Sequence, residues 1–331
     1  MYNRVNQVLE QYPFVVEQTH KGRGALILET DQGIKILKEY NGSEGRADFL
    51  YKLLSFLVEC GQKRVDCIVK TKEERTIATD TDETVYMVRD WYEGRECDTK
   101  NRDDIQKAIR QLAGIHTVFR GFPEEAPEFL TAPPDQLLIE YEKHIRELKK
   151  VKNYIGGKKK KNDFEMQFVR HCDRFLEQAA EVTAGQRAEL RTESGAKELR
   201  GMCHGDFNHH NVIFSREGIS VLNYEKAAFD VQAADLGNFM RKIMEKHNWN
   251  LGLGMDMLDS YSRLRPLGEA ELRQLYFRLA FPEKFWKISN HYYNTSKAWV
   301  CVRDLEKLQR VVEQEEAKER FLKVMSYNIM F

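Results

Sequence analysis

The chain has few cysteines, and none of them form a CxxC pair. The six cysteines stand at positions 60, 67, 97, 172, 203 and 301. Small secreted folds that depend on disulfides carry their cysteines far more densely than this. We therefore interpret these side chains as reduced thiols and not as a disulfide framework.

The chain also lacks a long hydrophobic run. No stretch approaches the ~20 consecutive apolar residues that a membrane-spanning helix requires. The first residues, MYNRVNQVLEQYPFVVEQ, do not contain the apolar core of a secretory signal. We therefore expect no membrane span, with synthesis and retention in the cytoplasm.

The chain has no excess charge of either sign, because 52 Lys and Arg residues balance 52 Asp and Glu residues. This balance gives no general attraction to nucleic acid, so we expect no nucleic-acid partner. Residues 143–161 are a local exception, with nine Lys or Arg and one Glu. Most such charge runs are solvated helix ends and loops. The alternative is a contact site for an acidic partner or a polyanion.

The 331 residues are enough for two lobes, and the first ninety read as strands. Strand-like runs are VVEQT (15–19), ALILET (25–30), GIKILKEY (33–40), RVDCIVKT and TVYMVRDWY. The turn-forming segments HKGRG and DQG separate the first three. A helical pattern over about 43–60 follows the third run. The order predicts a five-stranded antiparallel sheet with one inserted helix.

The remainder of the chain is mostly helical in pattern. Helical periodicity begins near residue 103, and the motif region 202–231 interrupts it with a hairpin, NVIF and ISVLNY around SREG. The predicted class is α+β, with two lobes. We expect residues 1–92 to form a nucleotide-binding lobe and residues 93–331 a helical lobe that carries the motif.

The motif is HGDFNHHN, in which Asp206 precedes Asn211 by five residues. Kinase catalytic loops use this spacing because the aspartate must meet an acceptor hydroxyl while the asparagine reaches a Mg²⁺ ion. A simpler alternative is that both residues only shape a loop. A zinc site from Asp206, His204, His209 and His210 is chemically conceivable. It is disfavoured, because no helical or strand spacing brings those four together.

Four phrases of the sequence resemble known protein families. The phrases HGDFNHHNVIF and NYEKAAFDVQAADLGNF are similar to the aminoglycoside phosphotransferase and choline kinase superfamily, whereas FMRKIMEKHNW and FPEKFWKISNHYYNTSKAW resemble CotS-type spore coat proteins. The resemblance implies a bilobal kinase-like fold in the spore coat of a sporulating Firmicute. It implies ATP and Mg²⁺ if the protein is active, and otherwise no cofactor. The implied partners are a nucleotide, an unidentified hydroxyl acceptor or other coat proteins.

The resemblance also assigns roles in the motif region. Asp206 matches the catalytic base and Asn211 a metal ligand. His204 matches the histidine that orders the catalytic turn. Asp235, in ADLG, matches the aspartate that braces the catalytic loop. Asn223 stands where such enzymes keep a metal-binding aspartate.

In the N-terminal part, IKILK matches the third strand of the family's sheet. Lys38 lies two residues from Ile36 and shares its face, so Lys38 is the favoured phosphate-binding lysine. Lys35 points the other way and is the second candidate, and a merely solvated lysine is the remaining alternative. Gly22 and Gly24 form a weak phosphate-loop signal, since a third glycine at GxGxxG spacing is missing. A tight hairpin explains them equally well.

Two departures bear on activity. An amide at Asn223 removes one charge from a metal site, and at ~4 Å with an effective dielectric of ~20 a unit charge pair is worth on the order of 4 kcal/mol. If residues 219–225 form a strand, Glu225 shares a face with Asn223 and can ligate the metal in compensation. The alternative is that Glu225 pairs with Lys226 or another neighbour. The helix offers only Glu44 and Asp48 as partners for the lysine, near its start. The hypotheses are therefore an active phosphotransferase, or a catalytically weak or inactive kinase-fold coat component that acts by binding.

Overall fold

The computed structural model describes residues 2–22, 24–191, 199–294 and 302–327. Cys301 and the end of the FPEKFWKISNHYYNTSKAW phrase, residues 295–299, lie outside the described residues. The chain forms two compact units, one of residues 1–130 with 202–228 and one of residues 131–201 with 229–331. The catalytic-loop motif thus groups with the N-terminal sheet. The functional division at residues 92 and 93 stays a prediction.

The first unit is built on an antiparallel sheet. Its strands are β1 (Val16–Gly22), β2 (Ala25–Thr30), β3 (Gly33–Glu39), β4 (Ile68–Val69), β5 (Ala78–Thr79) and β6 (Val85–Asp90). The order is β1-β2-β3-β6-β4, with β5 beside β6. The strand-rich N-terminal sheet of the predicted α+β class is confirmed. The two-residue strand β5 adds a sixth member to the five that were expected.

The predicted strand RVDCIVKT is much shorter in the structure. Only Ile68 and Val69 pair with β6, and Val65 makes an isolated bridge to Val221. Between them, the buried Asp66 directs its carboxylate to other partners, and the Cys67 amide donates to the Val65 carbonyl. A buried carboxylate needs hydrogen-bond partners, and the backbone at Asp66 therefore leaves the strand.

Three helices accompany the sheet: α1 (Tyr2–Leu9), α2 (Glu44–Glu59) and α3 (Arg102–Arg120). The predicted helix at 43–60 is α2, which begins at the capping residue Ser43 and buries the expected face, including Ala47 and Leu50. Helix α1 was not predicted. Its Val8 packs in a core with Leu28 and Val88.

A small hairpin follows the catalytic loop, as the sequence predicts. It consists of β9 (Val212–Ser215) and β10 (Gly218–Val221), and the short strand β7 (Arg95–Glu96) pairs with β9. Strands β8 (Arg200–Cys203) and β11 (Ala228–Val231) pair with each other. Strand β10 ends at Val221, Asn223 has a left-handed backbone and Glu225 lies in a short 3-10 turn. The predicted strand face shared by Asn223 and Glu225 is therefore wrong, because the left-handed residue ends the extended backbone.

The second unit is helical. Its helices are α4 (Gln136–Gly156), α5 (Asp163–Glu189), α6 (Ala233–Lys246), α7 (Leu251–Ser262), α8 (Glu269–Ala280), α9 (Glu283–Asn294) and α10 (Val302–Tyr327). A core rich in phenylalanine, including Phe168, Phe175 and Phe285, joins α4, α5, α9 and α10. Across the residues that are described, no helix combines the length and the apolar character needed to cross a bilayer.

Candidate functional site

Lys38 of β3 reaches the segment that follows the β9–β10 hairpin. Its Nζ donates to Asn223 Oδ1 over 3.1 Å and lies 3.7 Å from Glu225 Oε1. Lys35 points away and donates to Asp90 Oδ1 over 2.6 Å. The alternation along the strand thus brings Lys38, and not Lys35, to the other predicted residues.

Asn223 connects Lys38 to the catalytic loop. Its Nδ2 donates to Asn211 Oδ1 over 2.7 Å, and Asn211 Nδ2 donates to the carbonyl oxygen of Asp206 over 2.8 Å. A continuous chain of hydrogen bonds therefore runs from the Lys38 ammonium to the backbone of Asp206. The structure brings these four sequence-predicted residues together, all within the first unit.

The backbone of Asn223 is left-handed, with φ 67° and ψ 54°. Asparagine and aspartate adopt this region more readily than other non-glycine residues. The Asn223 N–H donates to Asp66 Oδ2 over 2.8 Å, and Arg89 Nη1 donates to the same oxygen over 3.2 Å. Burial raises the pKa of the Asp66 carboxyl, while Arg89 and the Asn223 N–H oppose that rise.

Asp66 and Arg89 were not singled out in the sequence, although a signal was present. Asp66 interrupts the apolar run VDCIV, and Arg89 ends the apolar run TVYMVR. The two signs are opposite, and buried charges are paired in folded proteins. This pattern indicates a buried ion pair, and here the pair anchors the backbone of Asn223.

Helix α2 binds the segment that follows Asn223, but not through the acidic residues that the sequence offered. Glu44 binds Arg75, and Asp48 accepts a hydrogen bond from Thr76, so neither acid pairs with Lys38. Instead Arg46 Nη2 donates to the carbonyl oxygens of Glu225 and Ala227, over 2.8 and 3.0 Å. Glu225, positioned in this way, is the carboxylate beside Lys38.

The turn that carries Asp206 depends on Gly205 and His204. Gly205 has φ +78°, and a Cβ there would lie 1.9 Å from the Lys226 carbonyl oxygen. The His204 ring is fully buried; its Nδ1 accepts the Asp206 N–H over 3.1 Å, and its Nε2 lies 3.0 Å from the Leu222 carbonyl oxygen. This geometry suits the predicted ordering role of His204.

Both carboxylate oxygens of Asp206 are engaged. Asn208 Nδ2 donates to Oδ1 over 3.1 Å, and Lys226 Nζ donates to Oδ2 over 3.0 Å. The Lys226 side chain is 70% exposed and that of Asp206 is 34% exposed. An approaching hydroxyl would therefore have to compete with an ammonium group for this carboxylate.

The other predicted residues lie elsewhere. Gly22 ends β1 opposite Ala25, and Gly24 adopts φ +64° in the turn of that hairpin. Asp235 is buried in the first turn of α6, in the second unit. The roles proposed for these three residues stay predictions.

The histidines of the loop do not form the zinc site considered from the sequence. His210 Nδ1 lies 2.5 Å from Glu96 Oε2, a surface pair, whereas His204 is buried within the turn. Within the described ranges, no group of three or more His, Cys, Asp or Glu residues is placed to hold a metal ion.

The arrangement at Asn223 also fits a divalent cation poorly. Mg²⁺ prefers carboxylate oxygens, and the candidate ligands are the amide oxygens of Asn211 and Asn223 with the Glu225 carboxylate. Both amide oxygens already accept hydrogen bonds, from Asn223 and from Lys38. The Glu225 carboxylate lies 3.7 Å from Lys38 and 3.8 Å from Arg89, which already balance its charge.

Solved structures that are similar to this chain include phosphotransferases. An aminoglycoside phosphotransferase from Alicyclobacillus acidocaldarius is 18% identical, with a TM-score of 0.81 over 98% of this chain and 96% of that one. Amicoumacin kinase hAmiN, in complex with AMP-PNP, Ca²⁺ and Ami, is 13% identical, with a TM-score of 0.63 over 96% and 92%. At these identities the likeness shows the fold, and it confirms the kinase-like architecture.

The sequence comparisons narrow the family. Spore coat protein S of Bacillus subtilis is 25% identical over 329 residues, 96% of this chain and 92% of that protein. Residues 5–325 match the family described as "Spore coat putative kinase YutH". Together these matches confirm the predicted resemblance to CotS-type proteins within the aminoglycoside phosphotransferase and choline kinase-like superfamily. The chain belongs to that spore coat family, whose fold is the one shared with aminoglycoside phosphotransferases.

Proposed function

We propose that this protein is a kinase-fold component of the spore coat that binds a nucleotide through Lys38 without requiring a divalent metal. Phosphoryl transfer is weak or absent, so that the protein acts mainly by binding. Nucleotides accompany several solved relatives of this fold, such as AMP-PNP in amicoumacin kinase. What distinguishes the proposed site from a metal-dependent kinase site is that nucleotide binding needs no divalent metal.

The observation that carries the proposal is the hydrogen bond from Asn223 Nδ2 to Asn211 Oδ1. Because the amide presents a donor to Asn211 and an acceptor to Lys38, the three side chains satisfy one another without a cation. An aspartate in the same rotamer would set two acceptor oxygens 2.7 Å apart. That arrangement needs a metal or a rotated side chain, and asparagine removes the need.

The charges around Lys38 favour phosphates without their metal. Each carboxylate missing from such a site removes on the order of 4 kcal/mol of repulsion from a phosphate charge at ~4 Å and an effective dielectric of ~20. The same change removes comparable attraction for a divalent cation. The Lys38 side chain is 28% exposed, and its ammonium is the cation beside Asn223. Compared with a site that has a carboxylate at position 223, this site should therefore favour the free nucleotide over the metal–nucleotide complex.

Weak turnover follows from the state of Asp206. A general base works only when its carboxylate meets the acceptor hydroxyl within hydrogen-bond distance. Lys226 occupies one oxygen of that carboxylate and Asn208 the other. An acceptor hydroxyl must share the carboxylate with both donors, one of which is the Lys226 ammonium.

A second candidate is an active ATP-dependent phosphotransferase with an unidentified hydroxyl acceptor. The hydrogen-bonded turn favours it, because His204 and Asn211 hold the backbone of Asp206 from two sides. In that case ATP and Mg²⁺ would be the cofactors, and Asn211, Asn223 and Glu225 would have to be the ligands. The poor fit of these three to a divalent cation is the reason that we place this candidate second.

The setting proposed is the coat of a sporulating Firmicute, with synthesis in the mother-cell cytoplasm and other coat proteins as partners. Family membership and the name of the relative in Bacillus subtilis support it. A fluorescent fusion should collect at the forespore surface during sporulation. A fusion that stays diffuse through sporulation would exclude this setting.

Titration with a non-hydrolysable ATP analogue, in EDTA and then in Mg²⁺, tests the binding proposal. The chain should bind the analogue equally well in both, and Lys38→Met should weaken binding about tenfold or more, a loss of about 1.4 kcal/mol. Lys100→Met, at an exposed lysine, should not change it. If Lys38→Met binds like the parent chain, the lysine is not the phosphate ligand and the proposal fails.

A further inference from the structure

The C-terminal end of α4 and its connection to α5 carry a concentration of positive charge in the second unit. We call this the basic tip, and its lysines are Lys149, Lys150, Lys158, Lys159, Lys160 and Lys161. Lys149, Lys150, Lys159 and Lys160 are exposed, and none of these four makes an ion pair with any residue that the structure describes. Because the whole chain is neutral, the tip stands out as a local positive field.

The tip is held in place by buried contacts. The Glu165 side chain is 1% exposed and bonds to Lys158, while Asn162 and Glu165 form a reciprocal capping box at the start of α5. The Tyr292 hydroxyl donates to Glu165 over 2.9 Å and accepts from Asn162 over 2.9 Å. Lys161 Nζ closes the loop on the Lys158 carbonyl oxygen over 2.9 Å. A lysine run that is merely solvated needs no such anchoring. A segment that is already ordered loses less conformational entropy when it binds a partner.

Two exposed aromatic rings adjoin the lysines. Tyr154 and Tyr293 are 51% and 42% exposed, and their rings meet edge to face with centroids 5.3 Å apart. The Lys158 ammonium lies 4.7 Å from the Tyr154 ring centre. Exposed tyrosines beside cations supply rigid contact area at low entropic cost, as protein-binding surfaces do.

We propose that the basic tip docks an acidic segment of a partner protein, in which Glu or Asp residues alternate with apolar or aromatic ones. The carboxylates meet the unpaired lysines, and the apolar side chains cover Tyr154 and Tyr293. Inorganic polyphosphate would leave both rings uncovered, because it has no apolar groups. A flat anionic bilayer would also meet Asp163, which is exposed beside the lysines, whereas a peptide can place a neutral residue there.

A direct test measures fluorescence anisotropy of a short labelled peptide that alternates Glu with Leu and Tyr, on the full chain. The tip variant carries Lys149→Glu, Lys150→Glu, Lys159→Glu and Lys160→Glu. The matched control carries the same four-residue charge reversal at exposed lysines elsewhere, Lys21, Lys63, Lys100 and Lys323. Circular dichroism on each variant establishes that the helices are intact.

We expect the parent chain and the control to bind the peptide, with affinity that falls as salt is raised. The tip variant should bind the peptide at least tenfold more weakly. Tyr154→Ala should weaken binding of the peptide but not binding of polyphosphate. Equal losses in the tip variant and the control would overturn the proposal, since net charge alone would then explain binding. So would no peptide binding by the parent chain, or tighter binding of polyphosphate or of phosphatidylglycerol vesicles than of the peptide.

Discussion

The side-chain amide of Asn223 donates to Asn211 Oδ1 over 2.7 Å. The resemblance to phosphotransferases predicts a carboxylate at position 223. The two side chains that the sequence predicts as metal ligands thus bond to each other. Lys38 binds the other side of the amide. The site can therefore form without a cation, and the expectations below depend on this arrangement.

Gly205→Ala should destabilise the first unit more than Gly24→Ala does. Both glycines have positive φ, so each substitution incurs the left-handed backbone cost of about 1–2 kcal/mol. Only at Gly205 would the new Cβ lie 1.9 Å from a carbonyl oxygen, that of Lys226, whereas nothing lies within 4 Å at Gly24. Chemical denaturation should show an excess loss of at least about 2 kcal/mol at Gly205. Equal losses would show that the turn relaxes freely.

Lys226→Gln should release the carboxylate of Asp206. In an Asn223→Asp background we expect faster ATP hydrolysis with Lys226→Gln than without it, because the carboxylate no longer binds an ammonium. The free energy of unfolding should change by no more than about 0.5 kcal/mol, since Lys226 is 70% exposed. Lys63→Gln, at an exposed lysine, is the control. A lower rate would mean that Lys226 holds Asp206 in its working position.

His144 of α4 should make the stability of the chain depend on pH. Its ring stacks on Trp286 and lies in a partly buried position, and burial lowers its pKa from the ordinary 6.5, although Glu283 and Glu147 oppose the shift. Because the unfolded chain takes up the proton first, stability is full above the unfolded pKa and is lost as pH falls through the lower folded value. Denaturation monitored by tryptophan fluorescence should therefore show a smaller loss on acidification in His144→Phe. An identical loss would exclude His144 as the cause.

Local pattern was enough to predict much of this site. The alternation of β3 separated Lys38 from Lys35, and the spacing in HGDFNHHN brought Asp206 and Asn211 into one loop. Helix α2 was also evident, because its apolar face repeats at helical spacing. These features depend on a few neighbouring residues, which a single sequence displays.

Contacts between segments that are far apart in the sequence could not be predicted from local pattern. Arg46 is separated by about 180 residues from the carbonyl oxygens it binds, and nothing in its neighbourhood distinguishes it from a solvated helix residue. The strand expected at RVDCIVKT failed because Asp66 binds Asn223 from far along the chain. Helix α1 was missed because its stability comes from packing on the sheet rather than from its own short sequence.

Glu225 should couple to any carboxylate introduced at position 223. In Asn223→Asp, Mg²⁺ would be held by the new aspartate together with Glu225, so Glu225→Gln should reduce the gain that Mg²⁺ gives to nucleotide binding. Groups that share one ion are not additive. In the parent chain the same substitution should leave the small effect of Mg²⁺ unchanged. A double-mutant cycle by calorimetry measures this coupling, and additive effects would place Glu225 outside the metal's reach.

The most direct measurement compares the parent chain with Asn223→Asp by calorimetric titration of a non-hydrolysable ATP analogue, in EDTA and in Mg²⁺. The parent should bind with about the same affinity in both, because its amide already satisfies Asn211 and Lys38. Asn223→Asp should bind at least about tenfold more tightly in Mg²⁺ than in EDTA, a difference of about 1.4 kcal/mol. Parent binding that requires Mg²⁺, or no parent binding in either condition, would contradict a metal-independent nucleotide site.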